Sequence, residues 1–256
     1  MPTIAPDQTH GIFVSQEMSK LKDIRADHYS DKWDIPMYTY REAAYYLGVH
    51  KGVLRTWVLG RTVPTRAGTT QWVGPLIPAA DATNGLLSFY NLAEAHVLAA
   101  SRYKHYVTIR SIRNAIVHLQ NRYPSPHPLL SKDFYTDGFD LFIKEMEGTE
   151  NLSKQGQLAF KPILDLFLKR IDFDERFRPK KVWPLIKGQP ESEKVVSMVF
   201  GVSAGRPTVD GTGVPVMMLW QRNQAGDSEE ELADDYDIDV TKVKKALEYI
   251  KHIKAA

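Results

Sequence analysis

The apolar positions of this chain fall into helical stripes separated by short turns, and in two stretches the spacing predicts a crossed pair of helices. In the first, Tyr38-Thr39-Tyr40-Arg41-Glu42-Ala43-Ala44-Tyr45-Tyr46-Leu47-Gly48-Val49 is followed by His50-Lys51-Gly52-Val53-Leu54-Arg55-Thr56-Trp57-Val58. Two short helices that cross steeply need a small residue at their contact, a glycine free to take positive φ in the turn, and apolar residues pinning the second helix. Ala44, Gly48, Leu54 and Trp57 meet those needs in order. In the second stretch, Ser228 and Glu231 have capping-box spacing for a helix running to about Tyr236. A further helix, over about 240–252, places Val243, Ala246, Leu247 and Ile250 on one stripe. Ala233, Ile238, Val243 and Ala246 sit at the contact and core positions of a helix-turn-helix. Asp237 takes the turn position usually held by glycine, which Asp tolerates better than most residues.

The remaining pattern is read the same way. Gln71-Trp72-Val73 and Leu86-Leu87-Ser88-Phe89-Tyr90 predict the two strands of a wing, with the next helix opening at Asn91. Ile109, Ile112, Ile116 and Leu119 form the core stripe of a helix ending near Tyr123, and Leu158, Ile163, Leu166 and Leu168 that of a helix over 153–169. Residues 134–143 alternate on either side of Asp137-Gly138 and predict a β-hairpin. A short apolar strand ends at Phe200, followed by tight turns at Gly205-Arg206-Pro207, Asp210-Gly211 and Thr212-Gly213. Residues 214–221 are apolar enough for a largely buried helix. Residues 1–36 read as a polar arm with a short helix near 16–24, and 186–194 as a linker. The expected fold class is α+β, mostly α. It divides into the arm (1–36), a winged helix-turn-helix head (37–125), a hairpin-containing bracing region with its linker (126–190), and a C-terminal three-helix helix-turn-helix domain (191–256).

Composition narrows the function classes. The 256 residues are 43% hydrophobic and 11% aromatic, enough for real cores. No run of 18 apolar residues marks a transmembrane helix, and the N-terminus lacks an apolar signal core. The absence of cysteine removes disulfides, thiolate zinc sites and cysteine nucleophiles together. A cytoplasmic, prokaryotic protein without a membrane partner is expected. The net charge of +2 hides an asymmetry. Residues 43–132 hold ten Lys or Arg against two acids, Asp81 and Glu94, whereas 227–239 hold eight acids and no base. Such a split predicts two different partners, one of them polyanionic, or else a contact between the two regions.

The 38–58 stretch resembles the DNA-binding head of MerR-type regulators, with Tyr38, Glu42, Ala44, Leu47, Gly48, Val49, Leu54, Arg55 and Trp57 filling that pattern. The segment between the expected wing strands, 74–85, departs from it in being longer and more apolar than a simple wing. Residues 205–216 carry a Gly-Arg-Pro-x-x-x-Gly-Thr-x-x-x-Val signature and resemble a small antitoxin-like domain family, long described as of unknown function. Its members often accompany PIN-like toxins in type II toxin–antitoxin pairs of the VapB-like kind. The resemblance covers about the last 60 residues. Together these imply an antitoxin that binds double-stranded DNA at its own operator and neutralises a PIN-like ribonuclease as a homodimer or higher oligomer. The alternative is a stand-alone MerR-like regulator whose tail serves oligomerisation or sensing.

The expected DNA contacts are His50, Lys51, Arg55 and Arg61, with Arg110 and Arg113 added from the next helix. No Asp or Glu occurs from 43 to 80, as a surface facing phosphate requires. The expected partner contacts are Arg206, Glu229, Glu230, Asp234 and Asp235. By this division of charge, a chain ending near residue 190 would keep DNA binding and lose toxin binding. Catalytic, metal and cofactor sites are not expected. Gly201-Val202-Ser203-Ala204-Gly205 formally matches a nucleophile elbow, but an elbow must run directly into a helix, and Pro207 and Asp210-Gly211 prevent that. The eight histidines show no metal-ligand spacing.

Overall fold

Caps and one glycine set the first helix pair where the sequence puts it. The Thr39 hydroxyl accepts from the Glu42 N–H while the Glu42 carboxylate accepts from the Thr39 N–H, opening helix α1 (Tyr40–Tyr46) on a capping box. Gly48 in the turn has φ 61°, and His50 Nδ1 accepts from Gly52 N–H to cap helix α2 (Lys51–Leu59). Leu54, Trp57 and Val58 of α2 lie buried in the same core as Ala43 and Ala44. The structure, a computed structural model, describes residues 31–66, 68–103, 107–147, 154–185 and 193–255. The expected helix near 16–24 and nearly all of the expected arm and linker lie outside them. The fold is α+β and mostly α.

The strands expected to form a wing pair differently. Strand β1 (Tyr38–Thr39) precedes α1, and the hairpin after α2 joins β2 (Arg61–Pro64) to β3 (Thr70–Val73), pairing Thr62 with Trp72. The 86–90 segment is not its partner. Strand β4 (Leu86–Leu87) pairs with β1, and helix α3 (Phe89–Tyr103) starts two residues before Asn91. The long apolar stretch between β3 and β4 has its own task. The backbone N–H groups of Leu76 and Ile77 donate to Trp57 O, and that of Ala79 to Val58 O, laying buried apolar residues under the C-terminal end of α2.

Helix α3 is buried on almost every side and forms the axis of the head. Helix α4 (Ile109–Arg122) is capped by Thr108 and buries Ile112, Ile116 and Leu119. The hairpin expected at 134–143 is instead a helical turn (Phe134–Gly138) running into helix α5 (Phe139–Glu147). Phe134, Gly138 and Phe142 repeat every four residues. A Cβ on Gly138 would lie 2.7 Å from a Leu119 methyl and 3.0 Å from Asp133 O, so this glycine serves close helix packing rather than a turn. Helix α6 (Lys154–Leu168) buries Phe160, Ile163, Leu164, Phe167 and Leu168. Ser153 and the side chain of Leu158 lie outside the described residues.

The hairpin of the middle region lies later, between β5 (Ile171–Phe173) and β6 (Pro179–Val182). It joins β7 (Val196–Val199) and β8 (Pro207–Val209) in one antiparallel sheet of order β5-β6-β7-β8. Lys181 pairs with Val199 and Val182 with Met198, so the sheet runs straight across the expected boundary at 190/191. The tail ends in helices α7 (Val216–Ala225), α8 (Glu229–Tyr236) and α9 (Val240–Ala255). Ser228 and Glu231 make the capping box, Asp237 closes α8 with φ 51°, and Val243, Ala246, Leu247 and Ile250 are buried. Helix α7 buries Val216 and Leu219 but leaves Met218 exposed, so it is less buried than its apolar run implies.

Trp33, Tyr38 and Tyr249 tie the N-terminal part of the chain to the later sheet and tail. Trp33 stacks on Phe200 with centroids 4.1 Å apart and donates from Nε1 to Pro179 O. Tyr38 donates its hydroxyl proton to Gly205 O at 3.1 Å. Tyr249 donates to Tyr46 O at 2.6 Å.

Candidate nucleic-acid interface

The exposed face of α2 is set by what its other face buries. With Leu54, Trp57 and Val58 turned inward, Lys51 and Arg55, four residues apart, are exposed together. Arg41, beside them, was not picked out by sequence reasoning. Its Nε donates to the Tyr40 hydroxyl at 3.4 Å. That bond, with the charges of Arg41, Arg55 and Lys51, draws the half-buried Tyr40 phenol below its ordinary pKa, which marks a positive local potential. Arg41 was legible in principle: it neighbours the capping residue Glu42, one turn from the helix contact.

Arg61, Arg110 and Arg113 meet in a second group around a cleft of about 210 Å3 between α2, the hairpin and α4. Arg113 donates to Gly74 O at 2.8 Å and to Pro75 O at 3.2 Å. Burial, and then the charge of Arg61, lower its pKa. Its guanidinium therefore holds the end of the hairpin against α4, while Arg61 stays exposed on β2. His50 is exposed, with Nδ1 committed to its cap. Two exposed hairpin residues were also missed, Arg66 at the tip and Trp72 on β3, the latter 58% exposed.

The acids of the head do not oppose this face. Glu42 is held in its capping box. Asp81 accepts from the backbone and side chain of Asn84, which lower its pKa. Glu94 is fully buried, 3.0 Å from His127 Nδ1, and Asp34 lies 3.3 Å from Nε2 of the same ring, which stacks on Tyr90. Burial alone would lower the His127 pKa, but the two carboxylates outweigh it and hold it above the ordinary value. A raised folded-state pKa gives stability that is complete below the unfolded value, near 6.5, and lost as pH rises through the folded one. The melting temperature is therefore expected to fall as pH is raised from about 6 through neutrality into the alkaline range. His127→Gln should lower the melting temperature and flatten that slope; an unchanged slope in thermal melts across this range would refute the assignment.

The tail places its charges differently. Glu229 and Glu230 approach Lys244 at 3.7 and 3.4 Å, Asp235 pairs with Arg222 at 2.6 Å, and Lys245 pairs with Glu193 at 2.7 Å. Asp234 is exposed and has no ion pair among the described residues. Arg206 is exposed at the other end of the tail, next to Gly205. The structure thus gathers Glu229, Glu230, Asp234 and Asp235 on α8 and sets Arg206 apart from them. Ser203 Oγ donates to Gly213 O at 3.1 Å, and Ser203 opens only a single 3-10 turn (Ser203–Gly205) before β8, so the strand-to-α-helix geometry of an elbow is not formed. Among the described residues, no helix is long and apolar enough to cross a membrane, and no cluster of three or more His, Asp or Glu has metal-binding geometry.

Comparison with known proteins gives two family matches and two relatives. Residues 36–116 match the family described as "Putative DNA-binding HTH domain", and residues 200–250 match "Protein of unknown function (DUF433)". The chain is similar to "Putative antitoxin VapB45" of Mycobacterium tuberculosis, at 28% identity over 234 residues, 86% of this chain and 95% of that protein. It is also similar to the crystal structure of Rv2018 from Mycobacterium tuberculosis, with a TM-score of 0.62 and 26% identity over 85% of this chain and all of that one.

Proposed function

We propose that this chain is a DNA-binding antitoxin whose head binds the operator of its own operon and whose tail neutralises a PIN-like ribonuclease. One observation supports the DNA half above others: α2 exposes Lys51 and Arg55 with Arg41 beside them, on a surface whose nearest acid is spent in a cap. The major groove is about 12 Å wide and admits one such helix, which reads base edges from its N-terminal residues while the preceding helix crosses the backbone. His50, Lys51 and Arg55 fall at that end of α2. Arg61, Arg66 and Arg110 extend the cation surface to flanking phosphates, and Arg113 keeps the hairpin in place. The protein acts in the cytoplasm as a homodimer or higher oligomer, so its operator is a repeated half-site.

The toxin half is supported by the relative's name and by the charge of α8. A ribonuclease needs a basic channel for RNA, and carboxylates complement such a surface and speed association. Lys244 and Arg222 already pair with three of the four acids, which leaves Asp234 as the first contact and makes the others exchange partners on binding. The same acids disfavour DNA at the tail, because the partner helix of a groove-reading helix must cross phosphates.

The test is to measure binding of the full chain to DNA from its own promoter and to the ribonuclease encoded beside it. Both are expected to bind. Asp234→Lys should slow association with the ribonuclease severalfold at low salt and leave DNA affinity unchanged. DNA binding without any ribonuclease binding would leave a stand-alone regulator; binding to neither would refute the reading altogether.

A further inference from the structure

The tail carries a second unpartnered surface, well removed in character from the acidic helix. Between α1 of the head and α7 and α9 of the tail runs a groove of about 530 Å3, walled by Tyr45, Tyr46, Met217, Met218 and Ile250. Arg206 is its one charged lining residue, exposed and without a carboxylate partner among the described residues. We propose that this groove seats an apolar, carboxylate-bearing segment of the ribonuclease partner. The proposal rests on the antitoxin reading above and adds a second point of attachment to it.

Three features favour that occupant. First, the lining couples an apolar, methionine-bearing floor to a single cation. Methionine side chains repack around differing apolar shapes, which suits a docking surface, and Arg206 at the rim, hydrogen-bonded to Tyr46, keeps donors for a carboxylate. Second, the rim is strained. Ser203 and Ala204 have φ of 48° and 52°, left-handed values that side chains other than glycine seldom take. Gly205 follows at φ 69°, its carbonyl held by Tyr38. Such residues persist where the surrounding structure fixes them, and they gather at ligand clamps. Here they fix the backbone from which Arg206 projects. Third, the apolar surface lies open. Met218 in the groove wall and Val202, next in sequence to the lining residue Ser203, are both 37% exposed, two of the four large exposed hydrophobic side chains among the described residues. That extent suits a protein segment better than a small molecule enclosed in a pocket.

The experiment uses the full chain and the ribonuclease from the neighbouring reading frame. Arg206→Glu and Met218→Lys alter exposed positions, and thermal melts verify that each variant is folded. Each is expected to weaken ribonuclease binding at least about tenfold, the order of one charged hydrogen bond, while Arg206→Lys stays near wild type. A photo-crosslinking benzoylphenylalanine at position 218 should attach to a ribonuclease peptide containing apolar residues and Asp or Glu. Groove variants that bind as tightly as wild type, or crosslinks only to a second copy of this chain, would overturn the proposal even if Asp234→Lys still weakens binding. A wild-type chain that binds no ribonuclease would overturn both this inference and the reading beneath it.

Discussion

Replacing Lys51 and Arg55 together with alanine is expected to remove specific operator binding while leaving the fold intact. The two side chains leave the exposed face of α2, and the buried face made by Leu54, Trp57 and Val58 keeps its packing. If both contact bases, each loss costs about 1–3 kcal/mol, so the pair weakens binding by roughly 30-fold to 20,000-fold. If both contact phosphates, the slope of log affinity against log salt shrinks by about 0.9 per contact and the loss is shared by all DNA sequences. Fluorescence anisotropy on operator and scrambled duplexes at several salt concentrations separates the two cases. Wild-type affinity with an unchanged salt slope in the double variant would remove α2 from the interface. In the tail, Lys244 and Lys245 of α9 are paired with Glu229, Glu230 and Glu193, while Lys242 and Lys251 stay exposed, so the residual affinity of the double variant measures what α9 adds.

Both helix pairs were legible because their signals are local. A capping box spans four residues, and a turn glycine or Asp237 declares itself by position. The same holds for the stripes of α4 and α9. The errors arose where partners are distant or where two periods coincide. Leu86-Leu87 looked like half of a wing because nothing local shows that β1, almost fifty residues earlier, is its partner. Asp137-Gly138 reads as a hairpin turn until Leu119, from another helix, occupies the space a Cβ would need. At 186–194 a polar Pro/Gly stretch looked like a linker between domains, yet the strands on either side of it pair with each other. On the site, charge and exposure located Lys51, Arg55 and Arg61. The inward turn of Arg113 depends on the carbonyls of Gly74 and Pro75, nearly forty residues away, and no periodicity carries that. Arg206 was singled out from its signature, but the groove it borders exists only because α1 and α7 come together.

That seam between head and tail leads to the last expectation: a chain cut after residue 190 should fail to fold, contrary to the division into separable modules. The cut removes β7 and β8 and leaves β6 as an open edge with unpaired backbone groups. It also takes Phe200 from Trp33 and Phe89, Met198 from the core it shares with Val182, and the Gly205 carbonyl from buried Tyr38. Uncovering the equivalent of two or three buried side chains costs about 3–9 kcal/mol, against a total stability of about 5–15 kcal/mol. The truncated chain should therefore aggregate or lack a cooperative melt. A folded fragment with full operator affinity would show that the head is autonomous after all. A gentler variant tests the same seam with every strand present. A Cβ on Gly205 would fall 1.9 Å from the Tyr38 hydroxyl oxygen, on a backbone at φ 69°. Gly205→Ala should then lower the melting temperature of the whole chain in one transition, since the strain acts on head and tail together. Tyr38→Phe in that background removes the colliding oxygen and should recover part of the loss, leaving the left-handed strain of about 1–2 kcal/mol. Two separate melting transitions, with only the tail shifted, would show that the seam does not couple them.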